Sequence, residues 1–221
     1  RNMLAPAQLL SDRLTDLEDP AVRKIAPRLL RALDRAVTFS ESVLAYGKGR
    51  EQEPNIRRVD VRSLCGDVFD LLSLDEAGNQ GIEALNRIPD TLHADADPDQ
   101  LFRIISNLVR NSAQALGGQE EGPRRIVVTG GRIGAATIIG VEDTGPGLPP
   151  KARENLFAAF KGSARADGTG LGLAIAHELV TLHGGTIELR ADRETGTHFE
   201  IRIPDRPVKL ADWQKRRDGA A

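Results

Sequence analysis

The 221-residue chain is about one and a half typical domain lengths, which sets the expectation at two compact units or one large one. Its 40% apolar and 28% charged residues are the make-up of a soluble globular protein and exclude general disorder. A formal charge of -2, from 30 basic and 32 acidic residues, supplies no bulk positive field and argues against nucleic acid or an acidic membrane as partner. The single cysteine, Cys65, excludes a disulfide scaffold and a thiolate zinc module, and is expected to be a small buried apolar residue.

No apolar run reaches the ~18 to 20 residues of a membrane-spanning helix, and the polar start has no signal-peptide layout. A cytoplasmic location without membrane contact is expected. A first residue of Arg rather than Met is expected of a fragment, with a sensor or membrane segment possible upstream.

Met3, Ala7, Leu10, Leu14 and Leu17 recur at helical spacing and predict a first helix. Asp19-Pro20 supplies a cap and a first-turn proline for a second, whose apolar positions run from Val22 to Leu44 and end at Gly47. Pro27 is expected to kink it. A hairpin over 1–47 with so broad an apolar face predicts a homodimer closed as a four-helix bundle; packing on the rest of its own chain is the alternative. Residues 48–55, charged and containing Gly and Pro, read as a linker.

Beyond the linker, helix and strand alternate. A helix is predicted over Val59 to Leu72, with Leu64, Val68, Leu71 and Leu72 inward, and a strand around Ile82 to Ile88. Asp97-Pro98 opens the next helix, whose core face is Leu101, Ile104, Ile105, Leu108, Ser112 and Ala115. Its other face gathers Arg103, Asn107, Arg110, Asn111 and Gln114 within about 100° of arc. Asparagine amides compete for the backbone inside helices, so Asn107 and Asn111 four apart imply a use for them, or else a solvated face.

Ile126 to Thr129 and Thr137 to Glu142 read as paired strands, followed by Asp143-Thr144-Gly145-Pro146-Gly147. By the two-residue period Asp143 shares a face with Ile139 and Val141, so its carboxylate points inward and needs donors. The glycines after it leave room for a flat ligand edge, although such turns are common after strands. Phe157 and Phe160 form an aromatic pair at helical spacing, and Lys161 to Asp167 a polar loop. Gly168-Thr169-Gly170-Leu171-Gly172 then opens a helix on Leu171, Ile175, Leu179 and Leu182, and free N–H groups at a glycine-rich helix start suit phosphate. No Gly-Lys-Ser/Thr ends this loop and no strand precedes it, so neither a P-loop nor a dinucleotide fingerprint fits. Two closing strands, Ile187 to Leu189 and His198 to Ile203, follow.

Taken in order, these pieces resemble the ATP-binding domain of sensor histidine kinases and of the wider ATPase superfamily of gyrase, Hsp90 and MutL. Asn107 to Ala113 looks like the N box, Asp143 to Gly147 the G1 box, Phe157 to Phe160 the F box and Gly168 to Gly172 the G2 box. The resemblance implies an α+β chain: the helical hairpin, the linker, a two-layer α/β sandwich with a mixed sheet over 56–205, and a tail over 206–221. It implies ATP and Mg²⁺ as cofactors, with a lid over Leu148 to Asp167. Asn111 would hold Mg²⁺; Asn107 and Arg110 would lie near the phosphates; Asp143 would accept the adenine amino hydrogen. Gly145 and Gly147 would shape the turn beside the base. Gly168, Thr169, Gly170, Leu171 and Gly172 would bring backbone N–H groups to the phosphates, and Thr197 would close the adenine side. Where many kinases carry Lys, Gln114 stands here, with Lys161 or Arg165 as possible replacements.

The hairpin resembles the dimerisation and phosphoacceptor domain of the same kinases. Arg1-Asn2-Met3-Leu4 is similar to the second half of the acceptor motif, which implies an acceptor histidine three positions before Arg1 and a phosphatase-type role for Asn2. The partner implied is a response regulator receiver domain. His93, His177, His183 and His198 are expected to be structural. Two rivals are an ATP-driven clamp of the gyrase type, disfavoured because 101–116 contains no Asp or Glu to act as base, and a phosphotransfer or scaffold protein without kinase activity.

Overall fold

In the computed structural model the described residues are 52–74, 81–119, 122–159, 170–190 and 195–206. The predicted hairpin, with Asn2, lies outside them, as do Lys161, Arg165, Gly168, Thr169, Phe160 and most of the tail.

The described elements run β1 (Arg57–Asp60), α1 (Val61–Leu71), β2 (Glu83–Arg87), β3 (His93–Ala96), α2 (Pro98–Gly117), β4 (Arg125–Arg132), β5 (Ala136–Asp143), α3 (Pro150–Glu154), α4 (Gly172–Leu182), β6 (Thr186–Leu189) and β7 (His198–Pro204). Five strands form one sheet in the order β2-β4-β5-β7-β6; β2 and β4 are parallel and the other pairs antiparallel. This is the expected mixed sheet. β1 and β3 form a separate antiparallel ribbon, with Val59 opposite Ala94.

The helices cover one face of the sheet. α2 packs on β4 and β5, α4 on β6 and β7, and the two helices pack on each other. Ile126 and Val128, Ile139 and Val141, and Phe199 and Ile201 point into this layer, each at most 0% exposed, against Leu101, Ile104, Ile105, Leu108 and Leu179. That alternation of buried and outward residues fixes the register, since a slip of one residue would turn the whole apolar set to water.

Asp97 caps α2 as predicted, accepting from Gln100 N–H at 3.0 Å, with Pro98 in the first turn. Four expectations are corrected. The first helix starts at Val61 rather than Val59, because Val59 pairs in β1 and Asp60 takes the cap, accepting from Ser63 N–H. Leu71 is 59% exposed: the buried stripe Val61, Leu64, Cys65, Val68, Phe69 is centred about 90° of arc away from it, with Phe69 on the opposite edge of the stripe. Leu182, the last residue of α4, is 38% exposed, and the inward side of that helix is carried by Ala174, Ile175, Ala176, Leu179 and Val180. Phe157 lies in a turn after α3 rather than in a helix. Cys65 is fully buried, as expected.

Candidate functional site

β5 delivers Asp143 to the inner face at its last residue, where it is 2% exposed. Burial of a carboxylate requires donors, and four are present. Oδ1 accepts from Gly145 N–H at 2.8 Å and Thr197 N–H at 3.2 Å; Oδ2 accepts from Ser112 Oγ at 2.9 Å and from Thr197 Oγ1. The Asp143 N–H also donates to Thr197 O at 3.0 Å. One acid therefore joins the end of β5, the middle of α2 and the turn before β7. Thr197, 5% exposed, closes this end of the site through three bonds.

The glycines around the acid are fitted closely. A Cβ on Gly145 would lie 2.9 Å from Asp143 Oδ1 and 3.4 Å from Ala115 Cβ. Gly147 has φ +76°, which disfavours any L side chain, and faces Gly196 O. The chain passes the carboxylate as bare backbone, as the Gly-rich turn led one to expect.

The second half of the site lies along α2. Asn107 and Asn111 are half-buried and Arg110 and Gln114 exposed, so the polar face seen in sequence is a real face of the helix. A Cβ on Gly172 would stand 3.6 Å from Asn107 Oδ1, which places that amide against the start of α4. No side chain caps α4, and first-turn N–H groups have no partner within a helix. Gly170 precedes this turn at φ +66°, and Leu171 is fully buried and anchors it. Asn107, Gly170, Leu171 and Gly172 thus meet at one end, while Asp143, Gly145, Gly147 and Thr197 meet at the other. Both ends abut α2, which carries Asn111 and Ser112 side by side.

The bond from Ser112 to the acid is not foreseen in the sequence, where Ser112 is placed on the core face of the helix and within the N-box stretch with no role of its own. Its signal was available: a hydroxyl on the buried face of a helix, 0% exposed, has to bond something.

The histidines all have bonded or stacked places. His93 Nδ1 lies 3.0 Å from Thr91 O, His198 Nε2 3.8 Å from Glu142 Oε1, and His177 stacks on Phe157 with centroids 4.8 Å apart. A cavity of about 370 Å³ is lined by Arg87, Arg125, Val127, Thr129, Glu142, Asp143 and Thr144, at the β5 end that carries the acid; alternation turns the side chains of Arg125, Val127, Thr129 and Glu142 to the face of the sheet opposite the helices. Among the described residues no helix is long and apolar enough to cross a membrane.

The profile of the histidine kinase-, DNA gyrase B- and HSP90-like ATPases matches residues 96–207. The chain is 35% identical over 150 residues to sensor histidine kinase ZraS of Escherichia coli K12, covering 67% of this chain and 31% of ZraS. It is 32% identical over 212 residues to the sensory histidine kinase/phosphatase NtrB of Escherichia coli O157:H7, covering 90% of this chain and 56% of NtrB. The chain therefore spans less than two thirds of either relative. Among solved structures, full-length ShkA in complex with AMPPNP superposes with a TM-score of 0.67 at 26% identity, over 88% of this chain and 41% of ShkA. Histidine kinase ThkA in complex with the response regulator TrrA shares the fold at a TM-score of 0.68 and 23% identity, over 94% of this chain and 58% of that one. That family match covers just over half of the chain, the part that holds the buried acid, the amide-bearing helix α2 and the glycine-opened helix α4, and the chain belongs to the histidine kinase-, DNA gyrase B- and HSP90-like ATPases.

Proposed function

We propose that residues 56–205 bind ATP with Mg²⁺ and serve as the catalytic domain of a two-component sensor histidine kinase, passing the γ-phosphoryl group to a histidine and then to an aspartate of a response regulator. The observation that carries this reading is the Asp143 carboxylate, 2% exposed at a Gly-lined turn. A fixed acceptor there selects adenine, whose amino group donates, over guanine, which has a carbonyl at that position. Gly145 and Gly147 keep the turn thin enough for the base, and Thr197 and Ser112 hold the acid in one orientation.

The phosphates would run along α2 to the start of α4, with Asn107 and Arg110 beside them and the N–H groups of Gly168 to Gly172 facing them. Lys161 would add a cation from the lid. Asn111 fits a magnesium site of one kind. Among the described residues no three His, Cys, Asp or Glu side chains converge on a metal, so the donor set suits an ion shared between one amide oxygen, phosphate oxygens and water. Bound there, Mg²⁺ would neutralise charge as the phosphoryl group moves. The lack of any Asp or Glu in 101–116 favours transfer to a second protein group over activation of water, and so the kinase over the clamp-type ATPase.

The test is nucleotide titration by calorimetry with and without Mg²⁺. Asn111→Asp adds a negative charge beside the phosphates, so affinity without metal is expected to fall about tenfold while Mg²⁺ restores much of it. An unchanged metal dependence removes Asn111 from the site.

Residues 1–47 belong to the same proposal as a dimerising hairpin, with 48–55 as linker, Asn2 in the phosphatase-type role and the acceptor histidine upstream of Arg1. Deleting 1–47 is expected to convert a dimer to a monomer by sedimentation. A dimer that survives the deletion argues against a hairpin interface.

A further inference from the structure

The ends of α2 and α4 away from the proposed phosphate site are joined by one side chain. His183, 9% exposed, follows α4 and has both ring nitrogens engaged by backbone. Nδ1 lies 2.8 Å from Leu179 O, and a carbonyl only accepts, so Nδ1 carries the proton. Nε2 lies 3.0 Å from Asp97 N, whose N–H only donates, so Nε2 offers its lone pair. The ring is the neutral Nδ1–H tautomer, and it ties the end of α4 to the N-cap of α2 across 86 residues of sequence.

That cap is itself held from two sides. Asp97 Oδ1 accepts from Gln100 N–H and Oδ2 from Asn55 N–H at 2.9 Å, while Gln100 Nε2 donates to Gln52 O at 2.9 Å. Residues 52–55, the start of α2 and the end of α4 thus form one hydrogen-bonded junction. Each helix then runs as a rigid rod to the other end of the site: α4, about 16 Å long at 1.5 Å per residue, begins beside Asn107 at Gly172. A bond between the far ends fixes how the glycine start of α4 stands against the amides of α2.

We infer that His183 is a positioning residue for the nucleotide site, setting the register of α4 against α2 through its bond to Asp97 N–H. The inference rests on the ATP-site reading above. It carries a pH signature, because a proton on Nε2 removes the acceptor and turns one N–H against another. The charged group that interacts with the ring is Asp97. Burial opposes its charge, but the N–H groups of Gln100, Asn55 and Asp99 outweigh that and, with His183, hold its carboxyl below the usual carboxylate range. It therefore stays anionic through the pH window in which imidazoles titrate. Of the other charged groups on the packed elements, Asp99, Glu178, Asp95 and Arg202 are exposed or half-buried, and none bonds the ring.

The experiment measures ATP affinity of the whole chain from about pH 8 to about pH 5 for wild type, His183→Gln and His183→Phe. Glutamine Oε1 accepts from Asp97 N–H at every pH, and the phosphates of ATP titrate alike in all three proteins. Wild-type affinity is expected to fall several-fold more than that of His183→Gln on acidification, and His183→Phe to bind about five- to tenfold more weakly throughout. Parallel pH profiles, or a folded His183→Phe with wild-type affinity, overturn the positioning role while leaving the ATP site standing. Should both variants fail to fold, ¹⁵N shifts of the His183 ring in the wild type decide: the Nδ1–H pattern supports the tether and the Nε2–H pattern overturns it. A wild-type chain that binds no ATP at about 1 mM overturns the functional reading itself.

Discussion

Asp143→Asn is expected to lower ATP affinity at least about 100-fold while leaving the domain folded, because the two effects depend on different atoms. The amide oxygen can keep the bonds from Gly145 N–H and Thr197 N–H. The new NH₂ replaces Oδ2, and the hydroxyls of Ser112 and Thr197, which donate to that oxygen now, can rotate and accept instead. The fold thus keeps its hydrogen bonds. An adenine amino group, however, meets a donor where it needs an acceptor. Loss of a charge-assisted bond, about 1.5–3 kcal/mol, together with donor facing donor, accounts for the factor. Asp143→Leu is the contrasting variant: it strands four buried donors at about 1–3 kcal/mol each and should unfold the domain. Thermal melts and ATP titration on the pair separate the roles. Wild-type affinity in Asp143→Asn would mean that the acid is only a structural hub.

Gly196→Ala should be among the most damaging single-atom additions. Its Cβ would fall 2.0 Å from Asp143 O and 3.0 Å from Asp143 C, and the residue has φ +83°, in the left-handed region. Neither side can yield cheaply, since Asp143 and Thr197 are cross-bonded through both backbone and side chain. Left-handed strain of about 1–2 kcal/mol, overpacking of about 1–3 kcal/mol and weakened Thr197 bonds sum to roughly 3–5 kcal/mol. That corresponds to a fall in Tm of roughly 10–15 °C for a domain of this size. Gly131→Ala is the control, because nothing lies within 4 Å of a Cβ there and it should melt close to wild type. A Gly196→Ala protein within 2 or 3 °C of wild type (~1 kcal/mol) would show that this turn is far more pliant than its bonding suggests.

The two ends of the site were legible to different degrees, for physical reasons. α2 announced itself through a cap, a first-turn proline and a 20-residue amphipathic pattern, and the burial of Asp143 followed from the two-residue period of β5. β1 and β3 did not announce themselves. Arg-Arg-Val-Asp and His-Ala-Asp-Ala are four residues each, mostly polar, and they exist because they pair with each other rather than because either favours a strand alone. Leu71 and Phe69 illustrate a similar limit, since they stand on opposite edges of the helical stripe and spacing alone does not say which edge the neighbouring elements cover. Nor could spacing show that Ser112 and Thr197 bond the same oxygen; that is a tertiary fact joining α2 to a turn near the end of the domain. The bonding of His183 to Asp97 was hidden for the same reason, with the two residues separated by almost the full length of the α2-to-α4 stretch.

The bond between Thr197 and Asp143 spans 54 residues, and this bears on how the protein is made. β4 and β5 are joined by a short local turn and can pair within microseconds of leaving the ribosome, whereas β7 is synthesised last of the described strands. Until it docks, the acid has neither Thr197 group to hold it, and the apolar side of β5 lacks the cover of Phe199 and Ile201. Such non-local pairing is slow, and exposed strand edges invite association. The turn that completes the bonding around Asp143 is therefore also among the last of the described parts of the chain to be made.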